Sequence, residues 1–230
     1  MAKRHLKRIA TPKSWPVKRK GITFVTRPHP SGHAMELHLP ITVILRDLLL
    51  LAERKREVTR ILEHQGVFVN GKKIVDKKAG VGFMDILSIP AAEVYGRMSV
   101  DKKGRLAIIK INEKEANTRL SQVKGKTILE KGKVQLNLLG GMSMLLPQNA
   151  YHIGDTIIFD LKEKKIKECY PLVKGNSIML IAGKHIGEQG VIVDISGKYL
   201  IYKNNDGTAI QTLKSYAFVV GKEKAVVTIQ

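Results

Sequence analysis

The chain has 230 residues with 40 Lys and Arg against 20 Asp and Glu, a net charge of +20, and 43% of it is hydrophobic. That length suits two or three small domains, and the apolar content supports packed cores rather than wholesale disorder. The charge excess opposes compaction unless an anionic partner neutralises it, which favours nucleic acid over an anionic membrane surface. No apolar run approaches the ~20 residues of a spanning helix. The leading stretch is basic and lacks the apolar core of a secretory signal. The lone Cys169 rules out an intramolecular disulfide, fits a reducing cytoplasm, and reads as a small buried apolar residue rather than a catalytic thiol.

Residues 1–40 form a basic N-terminal extension. Lys3, Arg4, Lys7, Arg8, Lys13, Lys18, Arg19, Lys20 and Arg27 all precede the first acid, Glu36, and Pro12, Pro16, Pro28, Pro30 and Pro40 break any long helix. The expectation is an irregular, extended segment, poorly ordered alone and ordered on RNA. Trp15 sits amid these charges, where it would either stack on an unpaired base or pack against the body of the protein. His29, His33 and His38 have no Cys companions, and their spacing straddles Pro30 and Gly32. A loop contact to RNA or solvent exposure fits them better than a metal.

Residues 41–94 read as two short helices, a hairpin and a closing strand. The first helix is expected over Thr42–Ala52, with Leu45, Leu48, Leu49 and Leu51 on one face and Val43 and Leu50 on the other. A helix apolar nearly all round is expected to be covered on both sides. The second is expected from Arg56 to Gln65, ending at Gly66. Val58, Ile61 and Leu62 form its apolar stripe, with Arg56 and Arg60 opposite. Asn70-Gly71 lies between Val67–Val69 and Ile74–Val75, a strong hairpin signal because both turn residues need positive φ. Gly82–Ile89 is expected to form one more strand.

From Tyr95 to Pro171 short apolar runs alternate with turn signals: Met98–Val100, Leu106–Ile111, Ile128–Leu129, Val134–Leu139, Met144–Leu146 and Thr156–Leu161. This indicates a central β-domain over 95–170. Gly125-Lys126-Thr127 ends like a phosphate-binding loop. The first glycine of that motif would fall at Leu120, and no buried strand is expected to run into it, so nucleotide binding is rejected. Residues 171–230 read as a last β-domain and tail. Strands are expected at Ser177–Ile181, Val191–Ile195, Lys198–Tyr202 and Thr208–Thr212, with Asn205-Asp206-Gly207 as a turn and one or two strands or a tail over Ala217–Ile229. A glycine-studded loop, Gly183-Lys184-His185-Ile186-Gly187-Glu188-Gln189-Gly190, follows the first. Such glycines let backbone approach a phosphate closely.

These stretches carry three resemblances. The paired helices, the run Lys55-Arg56-Glu57-Val58, Gly66 and Val67-x-Val69-Asn70-Gly71 resemble the RNA-binding module named after ribosomal protein S-four. The strand–loop–strand around Gly183, Gly187 and Gly190 resembles a KOW motif, found in ribosomal proteins and transcription elongation factors. The whole order, with His5-Leu6-Lys7-Arg8, Pro12-Lys13, Trp15, Leu39-Pro40, Leu45-Arg46 and Gly82-Phe83-Met84-Asp85, resembles the archaeal and eukaryotic small-subunit ribosomal protein family S-four-E. That resemblance implies an α+β multidomain protein: a helix-hairpin module followed by two small β-barrel or SH3-like domains, with an extended basic segment in front. It implies a non-enzymatic, cytoplasmic constituent of the small ribosomal subunit that binds ribosomal RNA and neighbouring subunit proteins. No cofactor, metal, membrane or small-molecule substrate is expected. The candidate RNA-binding residues are Lys3, Arg4, Lys7, Arg8, Lys13, Trp15, Lys18, Arg19, Lys20, Arg46, Arg54, Lys55, Arg56, Arg60, Lys72, Lys73, Lys184 and His185. The alternatives are an RNA-modifying enzyme of the pseudouridine synthase kind and a KOW-type elongation factor. Against the first, the sequence offers no paired carboxylates, nucleophile–base pair or metal cluster after the module. Against the second stand the basic extension and the module itself.

Overall fold

The computed structural model describes residues 5–147, 150–222 and 225–229, apart from the Lys131 side chain. The chain is mostly β-sheet with two short helices. It folds as two compact units, Met1–Ser99 with Arg105–Asn117 and Val100–Gly104 with Thr118–Gln230.

In the first unit β1 (Leu6–Lys7) pairs with β2 (Phe24–Val25). β3 (His38–Pro40) leads into α1 (Ile41–Val43), which continues as a π-helical turn, Ile44–Leu48. α2 (Lys55–Ile61) continues likewise over Leu62–Gly66. There follow β4 (Val67–Val69), β5 (Lys72–Ile74), β6 (Gly80–Gly82), β7 (Ile86–Ile89), β8 (Val94–Val100) and β9 (Leu106–Lys110). β6 pairs with β3, and a five-stranded sheet runs in the order β5-β4-β7-β8-β9. The strands expected to open the central domain therefore complete the module's sheet, because Ile86–Ile89 pairs with Val94–Arg97.

Local chemistry explains these elements and the departures from expectation. Ile41, Val43, Ile44 and Leu45 are fully buried, each worth about 1.5–3 kcal/mol relative to exposure. The first helix stops early: Leu50 has φ 55° and is 79% exposed, so the cover expected on both sides of Thr42–Ala52 does not reach its last turn. Asn70 and Gly71 have φ 50° and 76°, as the tight hairpin requires. The Asn70 carboxamide also donates to Asp85 Oδ1 (2.9 Å) and accepts from the Ile86 N–H (3.0 Å), tying the turn to β7. The single strand expected over Gly82–Ile89 is split by a turn in which Met84 has φ 62°. Asp85, buried at that turn, accepts the Gly82 N–H.

The extension is part of this unit rather than a loose tail. Trp15 is 4% exposed, and its Nε1 donates to the Met35 carbonyl at 3.0 Å. His33 and His38 are buried, contrary to the expectation of loop exposure. Glycine makes their seats: a Cβ at Gly82 would lie 2.1 Å from His33 Cδ2, and one at Gly80 2.8 Å from His38 Cδ2. The His38 Nδ1 bonds the Ala34 carbonyl, and burial pushes its pKa down.

In the second unit the first sheet contains β10 (Thr118–Ile128), β11 (Val134–Leu138), β12 (Ser143–Leu146), β13 (Thr156–Asp160) and β14 (Ile166–Tyr170), ordered β12-β11-β10-β13-β14. The second contains β15 (Ser177–Leu180), β16 (Gln189–Ser196), β17 (Tyr199–Asn204), β18 (Ala209–Leu213) and β19 (Ala217–Gly221), ordered β18-β17-β16-β15-β19. β11 alternates buried and half-buried residues along Val134, Leu136 and Leu138, which join Val123 and Ile157 in one apolar core. Cys169 packs against that core, and burial pushes its thiol up to about 11. β10 was not anticipated. A strand with buried Leu120 does run into Gly125-Lys126-Thr127, but those residues stay in strand, opposite Asn137, Leu136 and Gln135, and form no phosphate loop.

Candidate nucleic-acid interface

The start of α2 concentrates charge without spending it on the fold. Glu57 turns back to cap the helix, accepting the backbone N–H groups of Glu53 (2.8 Å) and Arg54 (3.3 Å). Those two bonds, then the nearby Arg54 and Arg60, hold its carboxyl below the usual carboxylate range. Val58 and Leu62 are fully buried on the inner side. Arg54, Lys55, Arg56 and Arg60 are exposed, and among the described residues none has a carboxylate within ion-pairing distance. Lys72 and Lys73 are exposed on β5, which packs beside the end of the second helix. This face is cationic, only partly offset by Glu57 and unneeded by the core, which suits contact with phosphates.

The structure sorts the remaining candidates. Arg46 is not free: Nε and Nη2 reach Asp47 Oδ1 and Oδ2 at 2.8 and 2.7 Å, a two-pronged pair that raises its pKa further. Trp15, buried and bonded to Met35, has no face to offer a base. Lys7, Lys13, Lys18, Arg19 and Lys20 are exposed. Arg8 is half-buried and donates to the Lys18 carbonyl (2.8 Å), while Arg19 donates to that of Ile9 (3.3 Å), so two of these bases hold their own segment together. Arg8 and Arg46 meet with Ile22, Asp47, Leu50 and Glu53 around a shallow hollow of about 440 Å³. Lys3 and Arg4 lie outside the described residues. The exposed His29 pairs with Asp76 at 2.8 Å.

Lys184 and His185 belong to the second unit. Lys184 is exposed. His185 Nδ1 lies 2.8 Å from Glu188 Oε1, and Glu188 Oε2 also accepts from Tyr202 and Asn204. The glycines around them serve packing rather than access to a phosphate. Gly187 has φ 82°, and a Cβ there would lie 2.3 Å from the Asp101 carbonyl oxygen. Gly190 is not in the loop at all but in β16, where a Cβ would lie 2.4 Å from the Lys203 carbonyl oxygen. Sequence reasoning missed Lys124, Lys198 and Lys214, which the fold of the second unit gathers around one crevice. No linear signal links them.

The family model described as Ribosomal family S4e matches residues 92–166, and the RS4NT domain model matches residues 2–36. The chain is 35% identical over 234 residues to the small ribosomal subunit protein eS4 of Methanosphaera stadtmanae, covering 99% of this chain and 96% of that one. It is 35% identical over 241 residues to eS4 of Methanocaldococcus jannaschii, covering 99% and 98%. The crystal structure of the 30S ribosomal protein S4e from Thermoplasma acidophilum superposes with a TM-score of 0.71 at 28% identity, covering 82% of this chain and 97% of that one. Full-length identity to curated relatives, together with a shared fold, places this chain in the S4e family of ribosomal proteins.

Proposed function

We propose that this protein is a structural, non-catalytic constituent of the cytoplasmic small ribosomal subunit. It binds ribosomal RNA through phosphate contacts and touches neighbouring subunit proteins. The observation that carries the RNA-binding role is the helix-opening face, where Arg54, Lys55, Arg56 and Arg60 are exposed while the nearest acid, Glu57, is committed to the backbone. Four cations beside a single acid repel one another in free protein, and a phosphate backbone relieves that repulsion while releasing its own counterions. The exposed lysines of the basic extension and Lys72 and Lys73 extend the same chemistry. Residues 41–94 act as an S-four-type module. The loop around Lys184 acts as a KOW-like element whose glycines shape it and whose exposed lysine meets RNA. The test is fractionation of cell extract on a sucrose gradient, with filter binding of purified protein to small-subunit ribosomal RNA. Co-sedimentation with small subunits and salt-sensitive RNA affinity are expected; a protein that stays at the top of the gradient and ignores the RNA overturns the reading.

A further inference from the structure

The second unit contains a crevice of about 530 Å³ that the contacts above leave unused. Ile153 and Leu213 give it an apolar wall, and Lys124, Lys198 and Lys214 also line it. No carboxylate lines it, and among the described residues none of these three ammonium groups has an ion-pair partner. Elsewhere the same unit does pair its lysines, Lys167 with Asp160 at 2.6 Å and Lys174 with Asp194 at 2.7 Å. Lys124 is exposed overall, while partial desolvation of its ammonium pushes its pKa down. Gln122, 2% exposed, also lines the crevice. Its Nε2 is fixed by the carbonyls of Gly154 (3.1 Å) and Ala217 (2.7 Å), which leaves Oε1 a buried acceptor without a hydrogen-bond partner. Buried acceptors are ordinarily satisfied, so one beside a hollow marks a place for an N–H donor.

Cations around an apolar hollow, with an orphaned acceptor beside it, match the two halves of a nucleotide: phosphate outside, flat base with N–H edges inside. We propose that this crevice is a subsite for one unpaired nucleotide of the ribosomal RNA, its base against Ile153 and Leu213 and its flanking phosphates on Lys124, Lys198 and Lys214. The proposal rests on the RNA-binding reading and adds to it a single-stranded target and a contact through the second unit. An acidic peptide from a neighbouring protein is the competing occupant.

Two measurements on the full-length protein test it. A photoreactive benzophenone side chain at Ile153, which is 58% exposed, is expected to crosslink to an unpaired nucleotide in purified small-subunit ribosomal RNA and in assembled subunits. A crosslink to a ribosomal protein in the subunit overturns the proposal. The variant Lys124→Ala/Lys198→Ala/Lys214→Ala, checked for an unchanged melting curve, is expected to lose that crosslink. It should also flatten the dependence of log affinity on log salt by about 2–3 units, three phosphates at roughly 0.7–0.9 each. An unchanged slope in this variant, with a reduced slope in Arg56→Ala/Arg60→Ala, rejects the crevice and leaves the RNA-binding reading standing. No salt-dependent RNA affinity in the unmodified protein rejects both.

Discussion

Replacing Arg56 and Arg60 together by Ala separates a role in binding from a role in folding. Both side chains are exposed and lack a carboxylate partner among the described residues, while Val58 and Leu62 carry the buried side of the helix. The two arginines are one turn apart, a like-charged spacing that costs an isolated helix about 0.2–0.5 kcal/mol, and Ala is the better helix former. Loss of attraction between Arg60 and Glu57 works the other way and is of the size of an exposed pair, about 0–1 kcal/mol. Stability should therefore move by no more than about 0.5 kcal/mol, a melting shift of roughly 1–2 °C. Binding should respond far more. Two phosphate contacts at about 0.7–0.9 each flatten the salt slope by roughly 1.4–1.8 units. Across a four-fold rise in salt, the variant should then lose about seven- to twelve-fold less affinity than the parent. Filter binding over a salt series, with a melting curve on the same preparations, reads both quantities. Arg46→Ala is the control: Asp47 already holds that guanidinium, so the slope should stay unchanged. An unchanged slope and a lowered melting temperature in Arg56→Ala/Arg60→Ala would refute the reasoning and assign these arginines to the fold.

Gly190→Val drives a side chain into the Lys203 carbonyl and the Tyr202 ring, so it should destabilise the second unit by at least the ~1–3 kcal/mol of an overpacked core; a parental denaturation curve would show that β16 yields there. Arg97→Ala removes a fully buried side chain whose guanidinium meets the partly exposed Glu115 Oε2 at 3.3 Å and leaves a cavity, with an expected loss of about 2–5 kcal/mol by chemical denaturation, and a loss under 1 kcal/mol would contradict it. Glu57 has a folded pKa below its ordinary 4.5, so the stability it adds is present above that value and disappears as pH falls through the lower folded value. Thermal melts of Glu57→Ala should accordingly lie below the parent at neutral pH and converge with it in acid; a gap that persists at the lowest pH would place the effect elsewhere.

What could be read in the sequence was local. Asn70-Gly71 announced its hairpin because both residues must adopt positive φ within two positions, and β11 announced itself as a short apolar run between turn signals. β10 gave no such sign. Arg119, Ser121 and Gln122 are buried in it alongside Leu120, with the Ser121 hydroxyl donating to the Leu139 carbonyl and the Gln122 Nε2 to those of Gly154 and Ala217, all distant in the chain. A strand whose buried residues are polar has no apolar period to detect. The extension was hard to read for the same reason in reverse: its bases and prolines gave an irregular segment poorly ordered alone, while Trp15, His33 and His38 find their seats only once Met35, Gly80 and Gly82 fold against them.

Charge followed this rule most closely. Arg46 and Arg56 look alike in sequence, each beside an acid, yet Asp47 closes on Arg46 whereas Glu57 leaves Arg56 bare to cap a helix. Whether a cation is neutralised depends on which competing donor its neighbouring carboxylate prefers, and an unpaired backbone N–H at a helix start is a strong competitor. The capping position thus does two things at once: it starts α2, and by withdrawing an acid it leaves the adjoining bases available to a polyanion. Lys124, Lys198 and Lys214 reach the same condition by another route, since each is an ordinary isolated lysine until β10, the β16–β17 turn and the end of β18 close around one crevice. In a chain this basic, the bases that matter for binding are the ones the fold fails to pair, and that property exists only after folding has allotted the 20 acids.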